Sequence, residues 1–331
     1  MSAKGASYAC ALLLFGCGRD SRRLQPEPAS SSPAVRTSAA ATPSKPRELP
    51  APTRLATLPI SAYATTLALD EDAAYLLTSH AAYRLVEGQP IHGIQLDLGI
   101  GPVLTESAFV FWSDGGIWRA PKQGGVTRRL AKVAHQPQYF VAAGEAFAWV
   151  DETEAGLYTI QMLVGNDPEV LVSSPGEIRA LKMIHDAIYF VVRPSDDSWR
   201  IGVVRISGGE PEYGAVRKGR APALLTGVDA LYYYDLDQMK ILKRSLDLRS
   251  EQAELDNFVC SPIDVSSRIF CACVEGLFEV SKEMRTPTVL VHDRPGTITS
   301  ISASSKVVAW TVDLGQDQLA VDMLPVTGPV E

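Results

Sequence analysis

Histidine and cysteine are both scarce, at five each among 331 residues. The histidines (His80, His92, His135, His185 and His292) never recur at His-x-x-x-His spacing, and no Cys-x-x-Cys pair exists. A metal site preassembled from close sequence neighbours is therefore absent. Gly-x-Ser-x-Gly, a P-loop and the Asp-x-Asp-x-Asp-Gly run of a calcium loop are missing too, so no hydrolase or nucleotide-binding signature is present. Helical apolar periodicity is lacking over any stretch long enough to matter, which leaves little room for helix. The apolar run at residues 6–15 is only about half the roughly 20 residues a helix needs to span a bilayer.

Charge is unevenly spread. Subtracting the +1 of residues 1–17 and the +3 of residues 18–52 from the net −7 leaves residues 53–331 at −11. An acidic body argues against nucleic acid, whose phosphates need a basic surface. Apolar residues at 46% and charged residues at 21% are ordinary for a globular protein with a full core.

The N-terminus reads as an export signal: Lys4, the apolar run 6–15, then Leu14-Phe15-Gly16-Cys17. That tetrapeptide resembles the bacterial lipobox, although Phe15 is bulkier than usual there. The resemblance implies cleavage before Cys17 and lipidation of its thiol. It also implies an envelope location, in the periplasm or at the outer membrane, with membrane contact through the anchor only. Residues 18–52 hold seven of the 22 prolines and few large apolar side chains. Such a segment cannot offset its ordering entropy and is expected to be a disordered tether. At about 5–6 Å × √n for a flexible chain, it holds the body roughly 30 Å off the membrane.

What fills residues 53–331 is a repeat. Seven short apolar runs carry large anchors at Leu76, Trp112, Trp149, Phe190, Tyr233, Cys271 and Trp310, and each is followed by a turn and another apolar run. A period near 40 built of short strands is the signature of a β-propeller with one four-stranded blade per repeat. The third repeat divides into strands at 137–143, 146–150, 156–162 and 169–172. The fourth divides at 178–184, 187–192, 200–206 and 212–216. The second strand of each repeat is apolar on both faces, as expected of sheets stacked face to face. The third strands of two repeats end in Gly124-Gly125 and Gly208-Gly209, which permit the positive φ of a tight hairpin. The last repeat runs out after 318–326, and residues 53–58, which resemble 127–131, are expected to supply its fourth strand and lock the ring.

Phe111-Trp112-Ser113-Asp114-Gly-Gly-Ile-Trp-Arg119 resembles the Tyr-Trp-Thr-Asp type repeat of propellers in extracellular bacterial and receptor proteins. Residues 149–151, 233–235 and 310–313 match it in part. The resemblance implies an all-β propeller with ligand-binding habits; its best-known members have six blades, against seven repeats counted here.

In such a fold the loops from second to third strand share one face with the blade-to-blade loops. The former supply Asp114, Asp151, Asp196, Asp197, Asp235 and Asp237; the latter supply Lys132, His135, Arg217, Lys218, Arg220 and His292. Trp199 opens a third strand on this face and could stack on a sugar or peptide. An Asp after the anchor more often caps its own turn than binds a ligand. Cys260 is expected opposite Cys273 if their hairpin turns at Ser266-Ser267, within disulfide range in an oxidising envelope, with Cys271 a buried thiol. The expected protein is thus a monomeric, envelope-anchored scaffold, without catalytic residues or cofactor, that binds an envelope protein or small ligand through its loop face. The alternative is a propeller hydrolase of the lactonase type, with a carboxylate-lined channel able to hold calcium and a loop histidine as base. A purely structural envelope protein is the third reading.

Overall fold

The computed structural model describes residues 51–326, except for 62–64, 71–72, 97–99, 134, 154, 165–166, 227–228, 236, 238–239, 256–262, 266–267, 274–275, 281–287 and 293–295. Strands are the only long elements, and no helix occurs among the described residues. After β1 (Thr53–Leu58), the first sheet holds β2 (Thr66–Leu69), β3 (Ala74–Leu77), β4 (Ala81–Leu85) and β5 (His92–Gln95). The second holds β6 (Ile100–Leu104), β7 (Ala108–Ser113), β8 (Gly116–Pro121) and β9 (Arg128–Lys132). The third holds β10 (Tyr139–Ala143), β11 (Ala146–Glu152), β12 (Tyr158–Val164) and β13 (Asp167–Ser174). In the fourth, β14 (Glu177–Ile184), β15 (Ala187–Ser195) and β16 (Ser198–Arg205) are followed by two short pieces, β17 (Glu212–Tyr213) and β18 (Arg217–Lys218), which both pair with β16. The fifth holds β19 (Ala223–Thr226), β20 (Leu231–Asp235), β21 (Lys240–Arg244) and β22 (Glu251–Leu255). The sixth holds β23 (Ile263–Val265), β24 (Ile269–Cys273), β25 (Gly276–Val280) and β26 (Thr288–His292). The seventh contains β27 (Thr297–Ala303), β28 (Val307–Gly315) and β29 (Gln318–Pro325), and β1 is its fourth strand.

The architecture is all-β and propeller-like. Each sheet is an antiparallel meander, and the first strands succeed one another from β6 through β10, β14, β19 and β23 to β27, which abuts β2. The strands β2, β6, β10, β14 and β27 jointly line a cavity of about 360 Å³, with Lys182 the one charged residue of its lining among the described residues.

The second strands are buried because both their faces meet other sheets. Leu76, Trp149, Phe190, Tyr233 and Trp310 are fully buried and each turns toward the preceding sheet. Trp149, for instance, packs on Val110 and Ile117 of the second sheet. The second repeat departs from the pattern by one residue. Phe111 fills the equivalent place against Tyr75 and Ala82, whereas Trp112 is half-buried and packs toward the third sheet. Because strand side chains alternate, a one-residue displacement reverses the face. Cys271 is a buried free thiol, as expected of its anchor position.

Strand β1 lies antiparallel to β29, with Leu58 opposite Leu319 and Thr53 opposite Met323. Ala56 and Leu58 are buried beside Leu67 and Leu76 of the first sheet and Leu319 and Val321 of the last. Arg54 holds Asp322 through two hydrogen bonds, one of them 3.1 Å from Nη2 to Oδ2. Both Gly-Gly pairs adopt positive φ, at 80° and 121° for Gly124-Gly125 and 86° and 116° for Gly208-Gly209.

The outer strands run further than expected. Lys132 closes β9, Arg217 and Lys218 form β18, and His292 ends β26, so these four are strand residues rather than loop residues. The hairpin of β23 and β24 pairs Ile263 with Cys271 and Val265 with Ile269, one residue away from the register of a turn at Ser266-Ser267. Cys260 and the Cys273 side chain, and with them the expected bridge, lie outside the described residues.

Candidate functional site

Among the described residues, the expected loop face is tied together where the fourth sheet meets the fifth. The hairpin of β15 and β16 closes with Ser195 opposite Ser198, leaving Asp196-Asp197 at its tip. Arg193 donates to Asp196 Oδ1 at 2.9 Å and to Glu177 Oε2 at 3.2 Å, and Ser195 Oγ donates to Asp197 Oδ1 at 2.8 Å. The segment after β18 then stitches this tip to the next hairpin. Gly219 N donates to the Asp197 carbonyl at 2.9 Å, and Arg220 N donates to Asp237 Oδ2 at 2.7 Å. Asp237 N in turn donates to Asp235 Oδ1 at 3.0 Å. A Cβ on Gly219 would come within 2.2 Å of Asp237 Oδ2, so only glycine admits this approach.

Four sequence-derived residues are thereby brought into one run: Asp196, Asp197, Asp235 and Asp237. Their roles differ. Asp235 is buried and caps its own turn, as its place after the anchor suggests. Asp196 is fully exposed, and Asp237 and Arg220 are exposed at 45% and 66%. The outer surface thus presents alternating carboxylates and a guanidinium whose backbones are fixed from behind.

Trp199 is a correction. It is 1% exposed, packed edge-on against Tyr233 at 5.7 Å between ring centres, and so has no face to offer a sugar or peptide. Arg217 lies over both rings and pairs with Glu251 of β22. Tyr233 donates to the same Glu251 oxygen at 2.5 Å. Burial, and then this bond to a carboxylate, push the Tyr233 hydroxyl well above its ordinary range. The Trp199, Arg217, Tyr233 and Glu251 cluster is the apolar-and-ionic footing of the loop face. Glu251 carries no signal in the sequence, because it meets Arg217 only through the stacking of two sheets 34 positions apart.

A second group lies between the second and third sheets. Asp114 has φ of 42° and Gly115 φ of 68°, forming the two-residue turn between β7 and β8; Asp114 is exposed. Asp151 takes up the backbone N–H of Glu152 and turns inward. It is buried near the end of β11, where Oδ2 accepts from Gln161 Nε2 at 3.2 Å and Oδ1 lies 3.8 Å from His135 Nδ1. Burial raises the Asp151 pKa above its ordinary value, opposed by His135 and the hydrogen bonds. A carboxyl whose folded pKa is raised favours the protonated form, so its ionisation destabilises the fold as pH rises through that value. Asp151→Asn should therefore raise the melting temperature at neutral pH, with the advantage shrinking as pH falls toward about 4, the unperturbed range. Thermal melts at several pH values check this; a constant or widening gap contradicts it. His292 lies outside this group, at the end of β26, paired through its backbone with Gly276.

Among the described residues no cluster of three or more His, Cys, Asp or Glu side chains is spaced to hold a metal ion. The carboxylates of the loop run are engaged by Arg193, Ser195, Arg220 and backbone N–H groups instead.

No family model matches the chain, and no curated protein matches it in sequence. In fold it is similar to a chain from the crystal structure of a mitotic checkpoint complex, with a TM-score of 0.60 and 10% identity, covering 90% of this chain and all of that one. Likeness at that identity speaks to fold alone. The class so defined is a propeller-like all-β protein.

Proposed function

We propose that the seven sheets are blades of one closed ring, sealed by β1, and that this ring is a lipid-anchored, extracytoplasmic scaffold. Its loop face binds a protein of the bacterial envelope. The observation that carries the reading is the hydrogen-bonded run from Asp197 through Gly219, Arg220 and Asp237 to Asp235. It fixes two neighbouring hairpins before any partner arrives, which lowers the ordering cost of binding. Asp196, Asp237 and Arg220 face outward from it and suit a partner surface of mixed charge. That the similar fold occurs in a protein complex is in keeping with this reading.

The test uses the full chain as bait in detergent extracts of the envelope, beside a variant carrying Asp196→Lys, Asp197→Lys and Asp237→Lys. Asp235 is spared because it is buried and caps its turn. A protein held by the first bait and lost from the second is the expected outcome; equal capture by both removes the loop face from the account. Anchoring rests on the lipobox-like run ending at Cys17. Labelled palmitate should enter the wild-type chain and be absent from Cys17→Ser; equal labelling excludes that anchor.

A further inference from the structure

The cleft between the second and third sheets, at the end of the strands away from the loop face, has a different character. It measures about 340 Å³ and is lined by Arg119, Arg128, Arg129 and Glu145 over a floor of Leu130, Phe147 and Leu163. Arginines thus outnumber the one carboxylate, in a body whose net charge is −11. Glu145 is already committed. It accepts from Arg119 Nη2 at 2.7 Å and from Ser107 N at 2.9 Å. Arg128 and Arg129 make no ion pair among those resolved for the described residues, and both are exposed.

The strands place these charges against their own interest. Arg128 is directly opposite Arg119 in the β8–β9 ladder, where like charges repel. A bulge in the same ladder pairs Trp118 with Arg129 and Ile117 with Ala131, leaving Leu130 as the extra residue. The bulge turns Leu130 and Ala131 together toward the third sheet, while Arg129 shares the face of Trp118, toward the first; Arg119 and Arg128 face each other on the cleft side. On the Trp118 face the Arg129 stem lies over Gly116, where a Cβ would meet its Cδ at 2.6 Å.

We propose that this cleft is an anion site for a phosphomonoester bearing an apolar substituent. Arg128 presents a planar fork that matches phosphate oxygens in bidentate fashion, and an anion there relieves its repulsion with Arg119. The Arg119–Glu145 pair orients the wall, and Phe147 with Leu130 and Leu163 receives the substituent. The same headgroup chemistry occurs on soluble esters and on lipids. The site is separate from the loop face and does not depend on its role.

Calorimetric titration of the full chain with phenyl phosphate, and with phenol as control, tests the site. A parallel arm measures binding to vesicles of phosphatidylcholine with and without phosphatidic acid. The variant is Arg128→Gln, an exposed position, and its fold is checked by circular dichroism; Arg128→Lys keeps the charge but loses the fork. Phenyl phosphate binding that weakens at least about tenfold in the Gln variant, and less in the Lys variant, is the expected result for a soluble ester. Binding confined to phosphatidic acid vesicles, with the same variant pattern, assigns the lipid source. No phosphate-dependent binding in either arm, or binding unchanged in the folded Gln variant, overturns the proposal.

Discussion

Gly202→Ala should destabilise the protein by about 1–3 kcal/mol, a large effect for one methyl group. Gly202 lies on β16 directly beneath the Phe190 ring, and a Cβ there would come within 2.3 Å of Cζ and 2.6 Å of Cε2. Contacts that short require the ring to move. It cannot do so freely, because Phe190 is fully buried in the cluster joining the third and fourth sheets and meets the Tyr213 ring edge-on at 5.8 Å. The clash is specific to that ring, so Phe190→Leu should absorb part of it. Denaturant unfolding of both single variants and the double variant measures the coupling. A double variant less destabilised than the sum of the singles is expected; strict additivity, or a neutral Gly202→Ala, contradicts the packing described.

Opening the seam should have the other large effect. Ala56 and Leu58 are 7% exposed, and both sit in the cluster that joins the last sheet to the first. Ala56→Asp with Leu58→Asp would bury two carboxylates among Leu67, Leu76, Leu319 and Val321, a change that costs several kcal/mol unless β1 detaches. Detachment leaves β29 as a free edge, which invites pairing between molecules. Reduced stability together with concentration-dependent oligomers in size-exclusion chromatography is the expected pair of results. A monomer of wild-type stability would show that β1 does not hold the last sheet to the first.

The two effects bear on how much the residues disclosed. Stacked sheets with a 40-residue period were readable because each second strand needs an apolar residue on both faces, and five of the seven anchors pack on the preceding sheet as that logic requires. Trp112 misled because two adjacent aromatics, Phe111 and Trp112, both satisfy the pattern, and only the strand register decides which faces which sheet. Outer strands were read too short at Arg217 and Lys218: the fourth strand of that sheet breaks at Gly214 and resumes on β16, leaving a polar pair that looks like loop. The position of Trp199 at a strand start points to the ligand face, but an arginine 18 residues later covers it. Asp235 behaved as its place after the anchor suggests, whereas Asp151, in the equivalent motif, turned inward to Gln161 and His135. Contacts between neighbouring sheets, such as Arg217 with Glu251, leave no trace in local pattern. The loop face was therefore visible as a list of charged residues, and its internal wiring was not.

Hydrogen exchange of the full chain, alone and in complex with an envelope protein it captures, bears most directly on the proposed scaffold role. Slowed exchange confined to 195–198, 217–220 and the peptide containing Asp235 and Asp237 is the expected result. Slowed exchange at the turns joining first to second strands, at the opposite end of the sheets, with those segments unchanged, would contradict it.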